Sequence, residues 1–233
     1  MGFAMTGLIA LVGGNEFREE CEPMDRALLA RLGSRPKVII IPTAAARENP
    51  ALAAENGVHY FQRLGAQAEA AMIIDAETAR QPALAARVRN ADLIYFAGGD
   101  PVYLLETMHD SPAWKAAREV LQRGRTLAGS SAGAMILGGQ MWAPGNGWRE
   151  GLGLVPLIAV IPHHANLASR WNAAHMRASL REGITLLGID EATALVGPPW
   201  QVLGAGQVTV YRGKKPAAFK DGQKVPLPDG ETR

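Results

Sequence analysis

Thr126-Leu127-Ala128-Gly129-Ser130-Ser131-Ala132-Gly133-Ala134-Met135 is the stretch that decides how this chain is read. Short apolar residues run into a glycine, a serine pair, a second glycine and then helix formers. That order predicts a buried strand, a sharp turn and a helix start. A serine on such a turn is lifted clear of the sheet. It also lies beside the free N–H groups of the helix N-terminus, which favour a developing anion. The frame Gly-x-Ser-x-Gly fits Ser131, between Gly129 and Gly133, and does not fit Ser130, between Ala128 and Ala132. A structural turn with a capping serine has the same composition, so the surrounding chain has to separate the two.

Upstream, Leu8–Val12 is a short apolar run closed by Gly13-Gly14, and Val38–Ile41 is a second, stopped by Pro42. Residues 68–74 form a weaker third strand, and Leu93–Phe96 a fourth that ends at Gly98-Gly99-Asp100-Pro101. Helical periodicity fills Pro23–Leu32, Asn49-Pro50 to about Leu64, Glu77–Val88, and two short stretches of 102–123. Continuous apolar strands alternating with helices predict an α/β fold: three layers, with a mostly parallel sheet covered by helices on both faces. Such sheets place ligands at the carboxyl ends of their strands. The Gly13-Gly14, Gly98-Gly99 and Ser131 turns are therefore expected along one edge.

Downstream, residues 138–156 hold six glycines, two prolines, Trp142 and Trp148. They read as a loop or lid near the serine turn. Ile158–Ile161 is a strand ended by Pro162-His163-His164, and a helix is expected over Ala168–Arg181. Two short strands flank the acidic pair Asp190-Glu191, and the tail from Val202 onward reads as antiparallel edge strands. With no repeat or linker, residues 1–233 are expected to form a single domain.

The 233 residues are 48% hydrophobic and 20% charged, with a net charge of +2 and no Lys/Arg-rich run, which argues against nucleic acid as a partner. One cysteine, Cys21, excludes an internal disulfide and fits a reducing, cytoplasmic setting. The first residues lack the positive region of a signal peptide, and no apolar run is long enough to span a bilayer.

A serine nucleophile needs a base, and the base needs an orienting acid. Of five histidines, His59, His109 and His175 fall in helical stretches, whereas His163 and His164 end a strand. Asp190 and Glu191 sit at another strand end, and in an extended chain they point to opposite sides. Ser131, one of the two histidines and one of the two acids would then meet at one place. An oxyanion hole would take the N–H of Ala132 and one from Gly98-Gly99. An α/β-hydrolase esterase shares the serine turn, but its order is Ser, acid, His, and no histidine follows Glu191. Adjacent histidines without ligand spacing do not suggest a metal site.

Gly129-Ser130-Ser131-Ala132-Gly133-Ala134 resembles the Gly-x-Ser-Ala-Gly-Ala signature of the dipeptidase E and cyanophycinase family of serine peptidases. Phe96–Asp100 resembles that family's glycine-rich oxyanion segment, and Gly151-Leu152-Gly153-Leu154 the segment before its histidine strand. Pro162-His163 and Gly188–Leu195 resemble its histidine and Gly-Ile-Asp-Glu-x-Thr-Ala motifs. The resemblance implies a fold like that of class I glutamine amidotransferases and a triad of Ser131, His163 and Glu191. It also implies an oxyanion hole at Gly99 and Ala132, with Gly98, Asp100, His164 and Arg170 around the substrate. No cofactor or metal is implied. His164 stands where the family usually has Phe, Pro101 where cyanophycinases usually have Gln, and only Arg170 and Arg177 represent the arginine-rich segment. The expected function is hydrolysis of a peptide or isopeptide bond in a small peptide, an aspartyl dipeptide or, alternatively, a cyanophycin-like β-aspartyl-arginine unit. A catalytically inactive amidotransferase-like binding protein is the reading from another class. A homodimer through the antiparallel tail is also expected.

Overall fold

The computed structural model describes residues 7–167, 173–212 and 215–227. The first half alternates as read: β1 (Leu8–Val12), α1 (Glu22–Leu29), β2 (Lys37–Ile41), α2 (Pro50–Arg63) and β3 (Gln67–Ala70). It continues with α3 (Pro82–Arg89), β4 (Leu93–Phe96), α4 (Pro101–Met108), α5 (Pro112–Gln122), β5 (Thr126–Ser130) and α6 (Ala132–Leu137). The second half holds β6 (Gln140–Ala143), β7 (Gly147–Glu150), β8 (Ile158–Ile161), α7 (His164–Leu167) and α8 (Ala173–Ala178). It ends with β9 (Thr185–Ile189), β10 (Thr193–Gly197), β11 (Gln201–Gly204), β12 (Gln207–Tyr211) and β13 (Ala217–Lys220).

Seven strands form the main sheet in the order β11-β10-β1-β5-β4-β2-β3. The five from β1 to β3 run parallel, while β10 and β11 are antiparallel additions at one side. Both faces are covered. Along β1, Ile9 and Leu11 enter one hydrophobic cluster while Ala10 and Val12 enter the other. Each large aliphatic side chain buried this way contributes about 1.5–3 kcal/mol, which is why these strands read as unbroken apolar runs.

Helix starts follow their sequence signals. Asn49 accepts the N–H of Leu52 and Ser111 that of Trp114, each with a proline in the first turn that follows. Such caps satisfy N–H groups that have no partner within the helix.

Register sets the site. Val12 pairs with Ser130 and Phe96 with Gly129, so the chain leaves β1, β5 and β4 at one edge, with the serine turn in the middle. The expectation for the three turns is met.

Two expectations change, and one strand takes a place the sequence did not assign. The 138–156 segment is not a loop: β6 and β7 form a hairpin whose paired Trp142 and Trp148 rings meet edge-on, centroids 5.3 Å apart. Cross-strand aromatic pairing outweighs the glycine content there. The histidine strand β8 is not in the main sheet. It runs parallel to β9 in a second sheet ordered β13-β12-β9-β8. The helix expected over Ala168–Arg181 is α8 alone among the described residues, and 168–172 lie outside them.

Candidate active site

Ser131 connects β5 to α6 with φ 48° and ψ −107°, a region non-glycine residues rarely occupy. The flanking glycines explain how the turn is tolerated. A Cβ at Gly129 would overlap the backbone of Gly133, and one at Gly133 would lie 2.6 Å from the carbonyl oxygen of Phe96. Strand and helix approach each other too closely for any side chain. The Ser131 N–H donates to the carbonyl of Val12 (3.0 Å), which ties the turn to β1.

The two serines separate cleanly. Ser130 is fully buried and donates its hydroxyl to Glu16 Oε2 at 2.7 Å. Ser131 Oγ lies 3.0 Å from Nε2 of His163. The other ring nitrogen, Nδ1, lies 2.7 Å from Glu191 Oε1, and Asn166 donates its side-chain N–H to Glu191 Oε2. His163 and Ala192 also have positive φ, 50° and 51°. Backbone strain therefore gathers at the serine, at the histidine and beside the acid, as at sites where a side chain must be aimed against local preference.

His164 goes the other way. It is buried and its Nε2 meets the Tyr211 hydroxyl at 2.7 Å. Its Nδ1 faces Asp190 Oδ1 at 3.4 Å without hydrogen-bond geometry, and Asp190 Oδ2 accepts the N–H of Gln207. Burial and the Asp190 charge push the Tyr211 phenol up, so it stays protonated at neutral pH. The adjacent pairs His163-His164 and Asp190-Glu191 thus split into two sets: one faces Ser131, and the other is packed against β9 and β12. The expectation that His164 contacts substrate is not supported by this placement. Asp100 is engaged as the cap of α4, accepting the N–H groups of Val102 and Tyr103, and it pairs with Arg47 at 3.4 Å. The N–H of Gly98 is taken by Glu16 Oε1 at 2.6 Å. Among the described residues no partner faces the N–H of Gly99 or of Ala132. Arg170 lies outside the described residues.

Sequence reasoning missed Glu16, Asn166 and the role of Gly14. A Cβ on Gly14, whose φ is +125°, would overlap the His163 ring. The only signal for Glu16 was its place two residues beyond a glycine pair at a strand end. Asn166 lies three residues after His163, in the short helix α7, and no motif in the sequence marked it.

Beside Gly98 and Gly99 opens a cleft of about 740 Å³, lined also by Glu16, Phe17, Leu52 and His59. Among the described residues no group of three or more His, Cys, Asp or Glu side chains is placed to hold a metal ion. No described helix is long and apolar enough to cross a membrane.

Residues 8–197 match the model of peptidase family S51. The chain belongs to that family. This S51 peptidase is 31% identical over 219 residues to a cyanophycinase of Trichormus variabilis, covering 87% of its own chain and 72% of the relative. It is 27% identical over 223 residues to a cyanophycinase of Geminocystis herdmanii, covering 88% and 80%. The crystal structure of a peptidase from an acI-B1 actinobacterium superposes with a TM-score of 0.87 at 32% identity, covering 96% of this chain and 98% of the other. The protein is accordingly a serine-type peptidase, a hydrolase of mixed α/β fold.

Proposed function

We propose that Ser131 is the nucleophile of this S51 peptidase, His163 its general base and Glu191 the carboxylate that orients His163. One observation carries the reading: an unbroken line from Ser131 Oγ through both nitrogens of His163 to Glu191. Ser131 attacks the carbonyl carbon of the scissile bond while its proton passes to His163 Nε2. That proton then leaves with the amine, and a water deprotonated by the same nitrogen releases the acyl group. Glu191 holds the imidazole with Nδ1 protonated, which leaves Nε2 free to accept. The N–H groups of Gly99 and Ala132 take the charge on the carbonyl oxygen.

The cleft beside Gly98 and Gly99 is the concave surface next to the Gly99 N–H, and a small substrate is placed there. We assign that substrate as a small aspartyl dipeptide. A β-aspartyl-arginine isopeptide is the second reading, favoured by the 31% identity to a cyanophycinase. The buried lone Cys21 suits a cytoplasmic protein, and the outer strand β13 is where a second copy would pair. A panel of Asp-X dipeptides, other dipeptides and β-Asp-Arg, assayed with wild type and Ser131→Ala, tests the assignment. Turnover of one member by wild type and none by the variant is expected. Equal turnover by both would overturn the mechanism.

A further inference from the structure

The loop after β1, residues 13–17, touches every part of the site. The Gly13 carbonyl accepts the N–H of His163 (2.7 Å), and the Gly14 carbonyl that of Ala192 (3.2 Å). Gly14 faces the His163 ring. Glu16 then reaches across the serine turn. Its Oε1 accepts the N–H of Gly98 at 2.6 Å, and its Oε2 accepts the hydroxyl of Ser130 at 2.7 Å. One carboxylate therefore joins the residue before the nucleophile to the residue before Gly99. Both contacts have the short length typical of charge-assisted hydrogen bonds.

The loop is built to hold this side chain in place. Asn15 and Phe17, on either side of Glu16, both have positive φ, 63° and 65°. That is a costly conformation for non-glycine residues, kept only where surrounding contacts impose it. Phe17 is anchored against Tyr60, Phe61 and Tyr95 at centroid distances of 5.8, 6.1 and 5.3 Å. The Asn15 carbonyl accepts the Cys21 thiol at 3.1 Å.

We propose that Glu16 is a positioning residue for the oxyanion hole, clamping the β4 loop to the serine turn so that the N–H groups of Gly99 and Ala132 converge on one oxygen. This rests on the mechanism proposed above. Glu16 lines the cleft, but both its carboxylate oxygens are taken by Gly98 and Ser130, and it acts through them. Its acceptor role at Gly98 also leaves Gly99 as the free N–H of that glycine pair. Small errors in the placement of such donors are expensive, because they act only on the charge that develops in the transition state. Glutamine can keep both links: its carbonyl accepts from Gly98, and its amide donates to Ser130 Oγ. Aspartate is one methylene too short to span both.

The test is the rate of covalent labelling by a fluorophosphonate, whose phosphoryl oxygen must enter the same hole as Ser131 attacks phosphorus and fluoride leaves. The maximal rate and the half-saturating probe concentration are measured separately for wild type, Glu16→Ala, Glu16→Asp, Glu16→Gln and Ser131→Ala, with a melting curve for each. The maximal rate is expected to fall at least about tenfold in Glu16→Ala and Glu16→Asp and less than about threefold in Glu16→Gln, at unchanged half-saturation. If Glu16→Ala fails to fold, Glu16→Asp decides. Wild-type labelling rates in a folded Glu16→Ala or Glu16→Asp would overturn the clamp and leave the Ser131 mechanism standing. A Glu16→Gln as slow as Glu16→Ala would also overturn it, by showing that charge and not geometry matters. Labelling of Ser131→Ala as fast as wild type would overturn the mechanism, and the clamp with it.

Discussion

The Glu191 carboxylate stands 2.7 Å from Nδ1 of His163, and Asn166 holds its second oxygen. Glu191 accepts at both ends and therefore dictates which imidazole nitrogen carries the proton. Glu191→Gln keeps the shape but presents an amide that can donate to Nδ1 and favour the wrong tautomer. Turnover of an accepted peptide is expected to fall about 10³- to 10⁴-fold with the melting temperature little changed. Asn166→Ala leaves the acid in place with one fewer restraint, and a loss on the order of tenfold is expected. Steady-state kinetics on the two variants checks both.

His163 and His164 are distinguishable by substitution. His163→Ala is expected to abolish turnover. His164→Phe keeps a ring of similar size against Gly188, where a side chain has no room. It gives up the Tyr211 bond and leaves Asp190 Oδ1 facing carbon. That variant is expected to keep activity within about tenfold while losing about 1–3 kcal/mol of stability, read by denaturant unfolding. Abolished turnover in a folded His164→Phe would reverse the choice of base.

Gly14→Ala tests how closely the β1 loop cradles the His163 ring. The new methyl meets the His163 ring, and φ of +125° is unfavourable for alanine. The ring must move away from Ser131. A fall in kcat of about 100-fold is expected, with a smaller loss of stability than the same substitution at Gly129, where the methyl would strike backbone.

Asp25 makes stability depend on pH. It is a fully buried residue of α1 and accepts the Tyr60 hydroxyl at 2.8 Å, while its Oδ1 has no partner. Burial pushes its carboxyl up from 3.8 to about 7, with the Tyr60 hydrogen bond opposing and the Glu16 charge adding to the rise. The folded state thus binds a proton that the unfolded state has released. The stability this proton contributes is complete below about pH 4 and declines as pH rises to about 7, above which it is lost. The full difference is about 4 kcal/mol. Asp25→Asn keeps an acceptor for Tyr60 and cannot ionise. The stability gap between variant and wild type, from urea midpoints at pH 5 and pH 8.5, is expected to move in favour of the variant at the higher pH. A gap independent of pH would contradict the protonated state of Asp25.

Most of the main sheet was legible because its strands are buried on both faces and read as apolar runs, and because Asn49-Pro50 marks a helix start with local chemistry. The β6–β7 hairpin was not legible. Its stability comes from Trp142 meeting Trp148 across two strands, a contact that glycine-rich composition conceals. The membership of β8 in a second sheet was hidden for the same reason: partner choice among buried apolar strands leaves no periodic trace.

By itself the sequence determined the serine turn. Gly129, Ser131 and Gly133 are close neighbours in the chain, and the crowding that demands glycine on both sides is local. It also supplied the candidates that could face Ser131 and their order along the chain. Only the tertiary structure places His163 rather than His164, and Glu191 rather than Asp190, in the hydrogen-bonded line to Ser131. Each choice depends on where one backbone torsion aims a side chain, φ of 50° at His163 above all, and on what packs behind it. Glu16 belongs wholly to the tertiary structure, since its two partners lie 82 and 114 residues away and meet only when β1, β5 and β4 are laid side by side.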